Sequence, residues 1–342
     1  MLRLNSKKIL KVGEDMAKFK VVVTDYEYET LQPELDELAG IDVEFVAVQC
    51  RTEEDVIEAA YDADGIINQY APITRKVIEQ LGKCKVISRY GIGVDTIDLD
   101  AATEKGIIVS NVNDYCIDEV ADHTFGLLMS WARKISQANE AVKSRKWDYK
   151  QITPIHKLST LTLGLVGFGK IPKAVAQRAQ AFGMKVLSFD PYLSEKIARD
   201  NNVELVNLDD LCLRSDFISV HAPLTNGTRG MISTIQFKKM KKSAVIINTA
   251  RGPVIDEEAL IQALQQKEIA GAALDVVEHE PIQDDHPFLL LDNVILTPHM
   301  AWYSEESQVE LKRKVARNVA YVLAGKQPPY QVNQLNESIG NI

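Results

Sequence analysis

Leu163-Gly164-Leu165-Val166-Gly167-Phe168-Gly169-Lys170-Ile171-Pro172 is an apolar run that stops at two glycines and resumes with helical periodicity. Residues 161–166 have the length and composition of a buried parallel strand, and Ile171, Ala174, Val175, Ala179 and Phe182 then recur at helical spacing up to Gly183. A strand that turns into a helix through Gly167 and Gly169 has the form of the first βα turn of a dinucleotide-binding unit. In such a turn the first glycine lets the chain bend sharply. The second lets the backbone approach a pyrophosphate at the helix N-terminus, where amide groups and the helix dipole favour anions. A second strand, 184–189, ends in Asp190, about twenty residues beyond Gly169, where an acidic side chain hydrogen-bonds ribose hydroxyls and repels a 2′-phosphate. The third glycine of the pattern would fall at position 172, which is Pro172. Proline is tolerated in a first helical turn but donates no hydrogen bond, so the amides of Lys170 and Ile171 are the ones expected at the pyrophosphate. On these ten residues alone an ordinary strand-to-helix turn is as good an explanation; Asp190 and the alternating elements around it favour the nucleotide site.

Working outward, 342 residues suggest two domains rather than one core. Strand-like segments at 19–24, 43–48, 65–68, 85–89 and 107–110 alternate with helical ones, as do 217–220, 244–248, 271–275 and 294–297 after the nucleotide turn. This alternation predicts an α/β protein with two doubly wound parallel sheets and right-handed crossovers. Between the two sets a long helical stretch begins near residue 117 and carries Val120, Ala121, Leu127, Leu128, Trp131 and Ile135. It fits a domain boundary, a subunit interface or a buried core helix. A last helix is expected from an N-cap at Ser304 to Gly325. Residues 1–15 are polar and without clear period, which points to Met16 as a native start behind a weakly ordered extension.

Hydrophobic residues make up 46% and charged residues 25%, with a net charge of −9 and a pI near 5.3. That balance argues against a general affinity for nucleic acid or anionic membrane. No apolar run reaches membrane-spanning length and no signal peptide is evident, so a soluble cytoplasmic protein is expected. The four cysteines, Cys50, Cys84, Cys116 and Cys212, lack metal-ligand spacing and fit reduced thiols; no metal is expected.

Three successive strand ends gather chemistry, in the place where open parallel sheets present ligand-binding groups. The first carries Asn248-Thr249-Ala250-Arg251-Gly252, the second runs from Asp275 to Pro281 through Glu280, and the third carries Thr297-Pro298-His299-Met300-Ala301-Trp302. Arg251 is a candidate carboxylate clamp, Glu280 a candidate orienting acid and His299 a candidate proton donor. Of the other histidines, His221 follows a strand and is placed to line a cofactor crevice; His123 reads as packing or surface, His279 as solvent-facing, and His156 and His286 have no evident role. No Gly-x-Ser-x-Gly elbow supports a serine hydrolase.

With these residues assembled, the chain resembles the D-isomer-specific 2-hydroxyacid dehydrogenases, and within them the branch similar to the C-terminal-binding proteins. The resemblance rests on Arg89-Tyr90-Gly91-Ile92-Gly93-Val94-Asp95-Thr96-Ile97-Asp98, on the Gly167 turn with Asp190, on His221-Ala222-Pro223-Leu224-Thr225 followed by Thr228, and on the spacing of Arg251, Glu280 and His299. It implies a Rossmann NAD domain, 118–302, inserted into a discontinuous flavodoxin-like substrate domain, 1–117 and 303–342, with the active site in the cleft between them. It further implies a homodimer that reduces a 2-oxo acid to the D-2-hydroxy acid with NADH. His299 would protonate the keto oxygen and Glu280 would pair with it, while Arg251 would hold the carboxylate and polarise the carbonyl. Arg89 and the backbone of Tyr90, Gly91, Ile92 and Gly93 would grip the carboxylate, and Asp275 would face the carboxamide. Gly167, Gly169, Lys170, Ile171, Asp190, His221, Ala222, Pro223, Thr228, Thr249 and Ala250 would complete the cofactor site.

Two departures from the family pattern bear on the substrate. Asp95-Thr96 stands where the loop usually reads Asp-Asn, which bears on how that loop is pinned. Gln69-Tyr70-Ala71-Pro72-Ile73-Thr74 lacks the arginine that phosphoglycerate dehydrogenases tend to place there, which argues for a non-phosphorylated acid. Trp302, with Tyr90 opposite, is expected to line an aromatic pocket that prefers an apolar side chain. The absence of an appended domain after Ile342 implies freedom from the effector control of some serine-pathway relatives. The competing readings are a phosphoglycerate dehydrogenase, or an NAD(H)-sensing binding module like the C-terminal-binding corepressors.

Overall fold

The structure is a computed structural model that describes residues 8–11 and 18–335; Met16 lies outside the described residues. The chain divides into two units, one running to Tyr115 and resuming at Ser304, the other Cys116–Tyr303. The sequence reading put these divisions after residues 117 and 302.

The first unit holds strands β1 (Lys8–Lys11), β2 (Phe19–Val23), β3 (Val43–Ala47), β4 (Gly65–Asn68), β5 (Val86–Arg89) and β6 (Ile108–Ser110) in the order β1-β3-β2-β4-β5-β6. From β3 onward every pairing is parallel, and the order is the flavodoxin-like one. β4 and β5 are buried along their whole length, as strands covered on both faces must be, so they read as continuous apolar runs rather than alternating ones. β1 corrects the sequence reading, which left residues 1–15 without an element: Lys8–Lys11 pair antiparallel with β3 at the sheet edge. Four residues carry too short a pattern to announce a strand, and the ladder that defines this one is supplied by a partner far along the chain. The Glu305–Leu323 helix closes the unit. Ser304 accepts the Ser307 amide at its N-cap, and Leu311, Val315, Val319 and Leu323 bury one stripe at four-residue spacing.

The second unit holds β7 (Thr162–Val166), β8 (Lys185–Phe189), β9 (Glu204–Leu205), β10 (Phe217–Val220), β11 (Val245–Asn248), β12 (Gly271–Leu274) and β13 (Val294–Leu296). The order β13-β12-β11-β10-β7-β8-β9 is parallel throughout and reverses at β7, so the Gly167 turn sits at the switch point where such sheets take ligands. The long helix expected past residue 117 is two helices, Ile117–Ala132 and Ile135–Lys143. Lys134 turns left-handed between them (φ 52°), so Ile135 leaves the apolar stripe and is 55% exposed. Among the described residues no helix is long and apolar enough to cross a membrane.

Candidate active site

The nucleotide turn is built by close approach. Gly167 has φ 99°, and a Cβ there would stand 3.2 Å from the backbone of His221 and Ala222, so the chain crosses β10's end where only glycine fits. At Gly169, by contrast, a Cβ would meet nothing within 4 Å, which leaves the mouth of the turn open. Gly169 is the N-cap of the Lys170–Ala181 helix, so Lys170 and Ile171 supply its first two amides and Pro172, in the same turn, supplies none. Asp190 is oriented by the turn itself: one carboxylate oxygen accepts the Phe168 amide at 2.8 Å and the other the Tyr192 amide at 2.8 Å. Each oxygen retains a second lone pair for a ligand hydroxyl. A glycine turn at a helix N-terminus with an acid fixed beside it fits a dinucleotide.

The remaining cofactor candidates line the ends of β10 and β11. His221 donates its amide to Val166 and its ring Nε2 lies 2.9 Å from the Ser219 hydroxyl. Desolvation pushes its imidazole down to about 3, so this histidine is neutral in the fold. Ala222 is buried with Val166, Ile218 and Val220, while the Thr228 hydroxyl donates to the Pro223 carbonyl at 2.5 Å and closes that loop on itself. The Thr249 hydroxyl meets that of Thr124 at 2.8 Å, and the Ala250 amide donates to the buried Asn248 side chain at 3.0 Å. Asn248 also donates to the Arg251 carbonyl, and the Arg251 guanidinium donates to the Ala250 carbonyl at 2.8 Å.

Glu280 and His299 are brought together. The His299 Nδ1 lies 2.5 Å from one Glu280 oxygen, with the two side chains 28% and 34% exposed; the other Glu280 oxygen accepts the Val277 amide at 3.1 Å. With Nδ1 committed to the carboxylate, Nε2 is the nitrogen left for substrate. His299 is left-handed (φ 51°), a conformation held by its neighbours. Its amide donates to the Asp275 carbonyl at 2.8 Å, and the Asp275 carboxylate accepts the Met300 and Ala301 amides at 3.0 and 2.9 Å and the Thr297 hydroxyl at 2.6 Å. Asp275, expected to face a carboxamide, is 2% exposed and directs both oxygens at the turn that carries His299. His123, read as packing or surface, places Nε2 3.0 Å from Thr297 and 3.5 Å from Asp275. Trp302 stacks edge-on against Tyr303 at 5.5 Å.

In the first unit the loop after β5 is wrapped around Arg89, which is 7% exposed and lies 5.9 Å from the Tyr70 ring. Gly91 has the positive φ (117°) that favours glycine, and a Cβ there would stand 2.2 Å from the Arg89 guanidinium and force it to move. Asn111 holds the Ile92 carbonyl at 2.7 Å, and Gly93 follows within the same loop. The Tyr90 side chain corrects one expectation. It is buried within its own unit, with its hydroxyl 2.7 Å from Glu34, its ring against Tyr28 at 5.1 Å and its amide donated to the Asn68 carbonyl, so its ring presents no aromatic surface to a ligand. Sequence reading also missed Asp25, buried at the end of β2, whose carboxylate accepts the amides of Gln69, Tyr70 and Ala71 at 3.1, 2.6 and 3.1 Å. Asn68 links this anchor to Thr96, whose hydroxyl donates to its side-chain oxygen at 3.3 Å.

This geometry is that of a dinucleotide-binding α/β protein: a doubly wound sheet with its phosphate turn at the switch point, and an acid–histidine pair at neighbouring strand ends. Comparison with known proteins agrees. The model of the D-isomer specific 2-hydroxyacid dehydrogenase NAD binding domain matches residues 125–301. Glyoxylate reductase of Korarchaeum cryptofilum is 40% identical over 283 residues, covering 82% of this chain and 85% of that one. D-3-phosphoglycerate dehydrogenase of Methanocaldococcus jannaschii is 43% identical over 328 residues, 94% of this chain; the chain spans 62% of that protein's length. The crystal structure of D-lactate dehydrogenase from Aquifex aeolicus complexed with NAD and lactic acid superposes with a TM-score of 0.83 at 28% identity, covering 92% of this chain and all of that one. The chain belongs to the D-isomer-specific 2-hydroxyacid dehydrogenase family and carries that family's NAD-binding domain.

Proposed function

We propose that this chain reduces a small, non-phosphorylated 2-oxo acid to the D-2-hydroxy acid, with NADH as reductant and His299 as proton donor. The observation that carries the reading is the 2.5 Å Glu280–His299 pair at the end of an NAD-binding sheet. Gly167, Gly169 and the amides of Lys170 and Ile171 take the pyrophosphate, Asp190 the ribose hydroxyls, and His221, Ala222, Pro223, Thr228, Thr249 and Ala250 the remaining length of the dinucleotide. When bound, NADH supplies the hydride that reaches the carbonyl carbon. Glu280 holds the His299 ring through Nδ1, and Nε2 gives its proton to the carbonyl oxygen as negative charge develops there. In the oxidative direction the same nitrogen takes the proton back. Arg251, a planar and permanently charged donor, holds the carboxylate and polarises the carbonyl. Arg89 and the backbone amides of Gly91, Ile92 and Gly93 are the further carboxylate donors, with Trp302 beside the reacting group; the Tyr90 amide is already given to the Asn68 carbonyl at 2.8 Å. Asp275 fixes the height of the His299 turn through the two amides that follow it.

Gln69 supports the non-phosphorylated substrate. It is 4% exposed and its side-chain oxygen accepts the Glu27 amide at 3.0 Å, so this position offers no cation to a phosphate. The relative at 43% identity favours phosphoglycerate instead. A panel of 2-oxo acids with and without a phosphate, each with NADH, decides: turnover of the short unphosphorylated acids to the D product is expected. Turnover confined to phosphorylated acids would establish the second reading. Tight NADH binding with no turnover beyond that of His299→Ala would leave the binding module.

We extend the proposal to assembly as a homodimer. The support is the 135–149 segment: the Ile135–Lys143 helix buries no residue, and Ile135, Val142, Trp147 and Tyr149 are 55%, 46%, 88% and 72% exposed.

A further inference from the structure

His286, to which the sequence assigned no role, sits at the centre of a connected set of contacts that ends on Glu280. Its Nδ1 accepts the Phe288 amide at 3.2 Å, which leaves the proton on Nε2, and Nε2 lies 3.1 Å from one oxygen of Glu257. The two side chains are only 17% and 16% exposed, so the pair is well shielded from water. The imidazole is also held by its neighbour's ring: His286 and Phe288 stand 4.8 Å apart, and Phe288 is 2% exposed.

Glu257 opens the Glu257–Gln265 helix, whose N-cap Asp256 accepts the Ala259 amide at 3.0 Å, so the base of its side chain is fixed. Its second oxygen reaches out of the helix and accepts the Glu278 amide at 2.9 Å. The turn it grips is pressed onto Gly252, where a Cβ would stand 2.0 Å from the Val277 carbonyl oxygen and 2.6 Å from the Glu278 nitrogen. From that fixed point the turn continues: the Val277 amide holds Glu280, and Glu280 holds His299.

We propose that His286 and Glu257 are positioning residues, a clamp on the Glu278 amide that sets the Val277–Glu280 turn so that the Glu280 carboxylate stays on His299. Neither is among the residues assigned above to substrate or cofactor. A carboxylate that orients a proton donor must be placed to a fraction of an ångström, and Glu280 itself is too exposed to be placed by packing. A single His–Glu contact on the far side of the turn supplies the missing constraint. The inference rests on reading Glu280 and His299 as the proton-donor pair.

The test uses the full chain with His286→Phe, which keeps the ring but has no donor for Glu257, and His286→Gln, whose amide reaches where Nε2 does. The first readout needs no turnover: the far-downfield proton of the His299 Nδ1–Glu280 hydrogen bond in the NMR spectrum, assigned by its loss in Glu280→Gln. The second is kcat for 2-oxo acid reduction, with NADH affinity and thermal midpoint measured alongside. His286→Phe is expected to lose or shift that resonance and to lower kcat roughly tenfold or more, with NADH affinity within about twofold of the parent. His286→Gln should recover both. An unchanged resonance in His286→Phe, or a Gln variant as impaired as the Phe variant, overturns the clamp. Should His286→Phe fail to fold, Glu257→Ala carries the same expectation and the same refutation. A resonance that responds as expected in a protein that reduces no 2-oxo acid upholds the clamp and sinks the catalytic reading alone.

Discussion

His221 shows how one side chain ties the cofactor turn to stability. Its imidazole is held neutral, near a pKa of 3, because burial desolvates it. In the unfolded chain it titrates near 6.5. Between those values the unfolded state binds a proton that the folded state refuses, so this residue's contribution is complete above about pH 6.5 and is lost as pH falls towards 3, at up to about 1.4 kcal/mol per pH unit. His221→Gln, which keeps a partner for Ser219, should therefore lose less stability than the parent between pH 7.5 and 5 in urea titrations; equal losses would mean the ring is solvated. Pro172 bears on the same turn. Because the amides of Lys170 and Ile171 precede it and its own position has none to lose, Pro172→Gly should change NADH affinity by under about tenfold. A larger loss by fluorescence titration would mean that the proline shapes the turn.

Among elements, the Glu305–Leu323 helix carries a buried charge into the first unit. Lys312 is 2% exposed and Glu34 is fully buried; their charged atoms stand 3.8 Å apart, with Lys312 also donating to the Thr30 carbonyl and Tyr90 donating to Glu34. Desolvation raises the Glu34 carboxyl and lowers the Lys312 amine, so burial works against both charges and the pair is held by its hydrogen bonds. Lys312→Met alone should cost about 3–5 kcal/mol in denaturant unfolding, by leaving Glu34 without its cation, and Glu34→Gln in the same chain should recover most of it. Additive losses would show that the two side chains do not interact.

What was legible in the sequence follows from how local each signal is. The Gly167 turn, Asp190 and the Ser304 cap are written within a few residues, and the structure has each where the pattern put it. β1 takes its definition from β3, and the break at Lys134 occurs without glycine or proline, so neither had a local sign. Tyr90 sits beside the loop glycines in sequence, yet its side chain points inward because Glu34, on the Gln32–Leu38 helix, and Tyr28, in the segment before it, are there to receive it. The Glu257–His286 contact likewise joins residues on opposite sides of β12. Contacts that fix a loop from behind are invisible to periodicity, which sees only the element a residue belongs to.

For the molecule as a whole, the exposed aromatic segment around Trp147 makes self-association a measurable consequence. Trp147→Ser with Tyr149→Ser should shift the protein towards monomer in sedimentation equilibrium while NADH binding is kept; an unchanged mass would place the interface elsewhere. Reduction of a 2-oxo acid with His299 giving the proton rests on one pair of side chains. The decisive measurement is kcat/KM for the preferred 2-oxo acid in His299→Gln, with NADH affinity measured on the same sample. A fall of about a hundredfold to ten-thousandfold at unchanged NADH affinity is the predicted result. Activity within tenfold of the parent would contradict it.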